Sequence, residues 1–112
     1  MEALTPDVKA AIDLGRSERI ERVAVAVGCT LVLTDRRLIL VRDGAAFRPK
    51  TGVQSWPVDR GLTLQFARGR KDTRRLLIVH DERSVSVFLP TAQRASMDAM
   101  IAEIRKRTYT EP

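Results

Sequence analysis

Five of the eight residues in RGRKDTRR, residues 68–75, are cations: Arg68, Arg70, Lys71, Arg74 and Arg75 stand against a single Asp72. Guanidinium and ammonium groups at that density can neutralise the phosphates of nucleic acid or of an anionic lipid surface. No aromatic residue is interleaved with them, so base stacking is missing and the contact on offer is electrostatic. A solvated loop explains the same run without any ligand. A second pair, Arg36 and Arg37, sits at the centre of TLVLTDRRLILVRDG, residues 30–44.

The remaining chemistry-bearing inventory is thin. Cys29 is the only cysteine and His80 the only histidine. Neither a cysteine-based zinc site nor a Cys/His nucleophile can be assembled from one of each, and no internal disulfide is possible. No G-x-x-x-x-G-K-S/T loop is present to cradle a phosphate. The expectation is a non-enzymatic protein with no catalytic residue, no metal and no cofactor. Cys29 beside Gly28 reads as a small buried hydrophobe, and His80 as a loop-edge residue with a local acid partner in Asp81 or Glu82. Trp56 has two readings: an exposed aromatic anchor for a partner beside an edge proline, or ordinary packing in a small β core.

The elements that must position these residues fit one domain of 112 residues and 12.6 kDa. Hydrophobic residues at 44% and charged ones at 30% suit a globule with a single core, while the net charge of +6 favours either an anionic partner or plain solubility. No apolar stretch approaches the ~20 residues of a membrane span, and the N-terminus lacks the basic start of a secretion signal, so a cytoplasmic location is expected.

LTPDVKAAIDLG predicts a short N-terminal helix, capped by Thr5, opened by Pro6 and stopped by Gly15, within a segment covering residues 1–17. ERVAVAVG and CTLVLT predict two strands separated by Gly28. If Asp35-Arg36 is a tight turn, Leu33 faces Leu38, Leu31 faces Leu40 and Val32 faces Ile39, so both faces of the hairpin match. With no glycine in that turn, a left-handed conformation would fall to Asp35 unless the turn is longer. Pro57 confines VQSWPV to an edge strand or a strand end. GLTLQFARG places Leu62, Leu64 and Phe66 on one face; RLLIVH and VSVFLP follow, the latter with Val85, Val87 and Leu89 on one face. The last element is an amphipathic helix in TAQRASMDAMIAEIRKR, with Ala95, Met97, Met100, Ile101 and Ile104 on one side and a frayed tail at 108–112.

The expected fold class is therefore α+β and mainly β: seven antiparallel strands forming a barrel or sandwich capped by a C-terminal helix, with a short N-terminal helix. This layout resembles the bacterial pleckstrin-homology-like (PH-like, GRAM-type) domain over residues 18–107. The hairpin GCTLVLTDRRLILVRDG carries the resemblance through Gly28, Leu31, Leu33, Thr34, Asp35, Arg37 and Leu38.

The resemblance implies a binding or scaffold module acting through protein contacts, self-association among them, since some relatives of this type assemble into oligomers. Headgroup-binding members carry a basic pattern from strand one into strand two, where this chain has VAVAVGCTLVL, so no phosphoinositide site of the usual kind is implied. The alternative is peripheral attachment to anionic membrane lipid or nucleic acid through Arg36, Arg37, Arg68, Arg70, Lys71, Arg74 and Arg75. The family's topology would place the 68–75 loop beside the Arg36-Arg37 turn as one basic patch. In the bland reading, Thr34 and Asp35 hydrogen-bond the turn backbone, and Arg36 and Arg37 are solvated charges that discourage stray strand pairing.

Overall fold

The computed structural model describes residues 12, 14–43, 52–67 and 73–110. Seven strands and one helix follow in order: β1 (Ile20–Ala26), β2 (Cys29–Thr34), β3 (Arg37–Arg42), β4 (Val53–Pro57), β5 (Leu62–Ala67), β6 (Thr73–His80), β7 (Arg83–Pro90), a single 3-10 turn (Thr91–Gln93) and α1 (Arg94–Thr110). The expected N-terminal helix lies outside the described residues.

The strands form two antiparallel sheets, β1-β2-β3-β4 and β5-β6-β7, each in sequence order. The fold is mainly β with one C-terminal helix, and the sheets do not join into a closed barrel. Two-residue turns drive this meander. Gly28, at φ 73°, supplies the left-handed conformation after Val27, and Asp81, at φ 55°, does so between β6 and β7.

The β2–β3 register is the one the apolar alternation predicts: Leu31 pairs with Leu40, Val32 with Ile39 and Leu33 with Leu38. Asp35 does not take a left-handed conformation, because the Thr34 hydroxyl accepts hydrogen bonds from the N–H groups of Arg36 and Arg37 at 3.1 and 3.0 Å and closes the turn itself.

The core lies between the sheets and under α1. Leu31, Leu33, Leu38, Leu40 and Trp56 meet Leu62, Leu64, Leu76, Ile78, Val87 and Leu89, and Met97, Met100, Ile101 and Ile104 close the stack. Each fully buried leucine contributes about 1.5–3 kcal/mol. Two sequence expectations need correction. Ala95 is exposed at the second residue of α1, whereas Met97, two residues on, is fully buried in the core. Phe66, near the end of the edge strand β5, is 37% exposed, although its cross-strand partner Leu76 is fully buried. α1 also runs through Thr110, into the segment expected to be a tail.

The outer face of the first sheet is apolar too. Val32, Ile39 and Val41 form a second buried cluster with Ile12, Ile20 and Val53, which makes β2 buried along its whole length.

Candidate functional site

Arg37 is not a freely solvated charge, whereas Arg36 is exposed. A tight turn at Gly15–Glu18, with Ser17 at φ 66°, aims the Glu18 carboxylate back at the β2–β3 turn. Arg37 donates Nε to Glu18 Oε2 at 2.9 Å and Nη2 to Oε1 at 3.1 Å, a bidentate pair, and the Thr34 hydroxyl donates to Oε2 at 2.6 Å. The Glu18 side chain is 2% exposed, and these partners, the Arg37 hydrogen bonds foremost, hold its pKa down at about 2 against the opposing pull of burial. Arg36 donates Nη2 to the Arg16 carbonyl at 3.0 Å. Asp35 turns outward from its own hairpin and accepts the Arg19 N–H at 2.9 Å.

Arg68, Arg70 and Lys71 lie outside the described residues. Arg74 and Arg75 are exposed near the start of β6. The Arg74 guanidinium lies over the Phe66 ring, 5.5 Å from its centroid, and Arg75 donates Nε and Nη2 to the Ser86 hydroxyl at 3.2 and 3.1 Å.

These two cations are not beside the Arg36-Arg37 turn. Arg74 borders the same small depression as Arg94 at the start of α1, whereas Arg107 near its end donates to the Thr34 carbonyl at 2.6 Å. Arg107 lies thirteen positions after Arg94 along the helix, roughly 20 Å at 1.5 Å per residue. The start of β6 and the β2–β3 turn therefore sit at opposite ends of the helix, so Arg74 and Arg75, the described cations of the run, do not join Arg36 and Arg37 in one patch.

Trp56 is 7% exposed and paired with Leu38, so it belongs to the core rather than standing out as an anchor. It nonetheless forms part of the wall of a cleft of about 750 Å³ between β4 and the β6–β7 turn. All five residues of β4 border this cleft. Side chains on both faces of the strand are among them, so the cleft follows the strand's free edge.

Across from β4 stand His80, Asp81, Glu82, Arg83 and Val85. His80 Nε2 lies 3.1 Å from Asp59 Oδ1, and its Nδ1 lies 3.5 Å from Asp81 Oδ2. The sequence pointed to the neighbouring acids; the nearer carboxylate, Asp59, comes from the β4–β5 connection, and no local spacing signals it. Asp59 also accepts the Gly61 N–H at 2.9 Å, which fixes its position.

Comparison with protein-family models, curated proteins and solved structures finds no match for this chain. The site must therefore be read from its own chemistry. Among the described residues no group of three His, Cys, Asp or Glu is arranged to hold a metal ion. Cys29 is buried in the apolar core, and burial pushes its thiol pKa up, away from a reactive thiolate. No helix among the described residues is long and apolar enough to cross a membrane.

Proposed function

We propose that this chain is a non-enzymatic binding module of the PH-like type, bacterial and cytoplasmic, that works through contacts with another protein. The seven-strand meander, its division into four and three strands and the terminal helix all support the PH-like reading. One observation carries the protein-binding part: the cleft along β4 leaves one flank of the sandwich open, beside an uncharged strand, in a chain that is otherwise 30% charged. An uncovered, uncharged sheet edge is an invitation to pairing that monomeric proteins usually block.

Affinity capture with the tagged full chain at low and high salt tests this reading. A specific protein, or a second copy of the chain, retained at high salt is the expected result. Recovery of nucleic acid or lipid alone, lost as salt rises, would overturn it.

A second reading, peripheral attachment to anionic lipid or nucleic acid, draws support from Arg74 and Arg94, which border one depression with Phe66 between them. On duplex DNA the log-log salt slope of binding should then fall by about 2 in the double variant Arg74→Gln/Arg94→Gln, one unit per lost phosphate contact. Arg37, held by Glu18, contributes nothing to this slope.

A further inference from the structure

The pairing pattern of β4 shows which of its backbone groups are free. Arg42 donates its N–H to the Gly52 carbonyl at 2.8 Å, which makes Arg42 and Gly52 a hydrogen-bonded pair of the β3–β4 ladder. Hydrogen-bonded pairs alternate along an antiparallel ladder, so the next are Leu40 with Gln54 and Leu38 with Trp56. Val53 and Ser55 consequently turn their N–H and C=O groups away from β3, toward the cleft, and have no backbone partner among the described residues. Pro57, in the same outward phase, has no N–H to offer and ends the free edge. What remains is a short strip of two donors and three acceptors, between a tryptophan on one side and a charged turn on the other.

That turn sets the sign. Asp81 and Glu82 face β4 against the single Arg83, and Asp59 stands behind them on His80. The wall opposite the free edge is thus net acidic, although the whole chain carries +6. A partner that fits must be extended, to pair with Val53 and Ser55, and must place a cationic side chain toward Asp81 and Glu82.

We propose that the β4 edge takes up an extended, lysine- or arginine-bearing peptide segment of a partner protein as an added strand, seated between β4 and the β6–β7 turn. This rests on the protein-binding reading and names its site and the chemistry of its partner.

The probe is a blocked peptide of alternating valine and lysine, titrated into the isotope-labelled full chain with amide exchange read by NMR. The expected result is that saturation slows exchange of the Val53 and Ser55 amides by about tenfold or more. A glutamate-for-lysine version should bind at least about tenfold more weakly, and an N-methylated version, unable to pair, should give no protection. Ser55→Pro removes one outward N–H without breaking a bond to β3, so it should fold normally and lose the peptide.

Binding of the lysine peptide without slowed exchange at Val53 and Ser55, or equal binding by Ser55→Pro, would overturn the inference, as would no binding at all. Protection of both amides that rises with protein concentration in the absence of peptide would put a second copy there instead. A cellular protein that is still captured by Ser55→Pro would remove the partner from β4 yet leave the binding-module reading in place.

Discussion

Where β1 meets β7, the sandwich is sewn shut: Val27 donates its N–H to the Phe88 carbonyl at 2.8 Å, and Gln93 Oε1 accepts the Val25 N–H at 3.1 Å. At the β4 flank the equivalent outward groups of Val53 and Ser55 face a cleft. Both flanks are edges of the same four-stranded sheet. The difference lies in what the chain does next. After β7 it continues directly into the 3-10 turn and α1, which brings Gln93 and the helix across β1. After β4 it leaves through the short Val58–Gly61 connection into the other sheet, so among the described residues no later element passes over that edge. An edge is thus protected by chain path as much as by its own residues.

The largest test of this contrast is to weaken the element that seals one flank. Met100→Ala, at a fully buried position of α1, should cost about 2–5 kcal/mol in chemical denaturation and expose the Val25 amide to exchange. Phe66→Ala, at an exposed strand end, should cost clearly less. Equal losses would mean that the core is not where α1 meets the sheets.

Next in size is Glu18→Gln, which leaves Arg37 half-paired and should cost about 1.5–3 kcal/mol, as charged hydrogen bonds do. The pH dependence has a definite sign. Because folding lowers the Glu18 pKa from its ordinary 4.5 to about 2, the stabilisation is fully present above about pH 4.5 and is lost as pH falls through about 2. Glu18→Gln should flatten the wild-type decline in that window, read as unfolding midpoints across an acid series.

Smaller still, Gln93→Ala should cost about 0.5–1.5 kcal/mol and selectively speed exchange of the Val25 amide, leaving Val53 and Ser55 as fast as before. At the bottom of the scale, Ser55→Pro should shift stability by no more than about 1 kcal/mol. A larger loss would show that the open edge is structural after all.

The sequence was most legible where neighbours in space are neighbours in the pattern. The β2–β3 register follows from apolar residues that match on both faces, and Pro57 marks its strand as an edge because it cannot donate to a ladder. What stayed hidden depends on distant partners. Glu18 sits in the charged run RSERIER, and nothing there singles it out as the acid that meets Arg37 nineteen positions later. Phe66 continues the alternation of Leu62 and Leu64, but alternation assigns a face without saying how fully each residue on it is covered. The separation of Arg74 from the Arg36-Arg37 turn by the length of α1 is set by the helix direction, which composition does not encode. The cleft lies along a strand edge that no other described element covers, and a sequence carries no local mark for that.

Arg107 has a consequence in time as well as in space. It donates to the Thr34 carbonyl across 73 positions of chain and also pairs with Glu21, so the end of the last helix clamps the first two strands. At about 5–20 residues per second of synthesis, the β2–β3 hairpin is made some 3–13 seconds before its clamp exists. Throughout that interval the inward leucines at 31, 33, 38 and 40 lack the helix that later lies over the core. A nascent chain of this design therefore depends on staying apart from its neighbours on the same polysome until Arg107 has been added, and truncation before Arg107 would leave that requirement permanent.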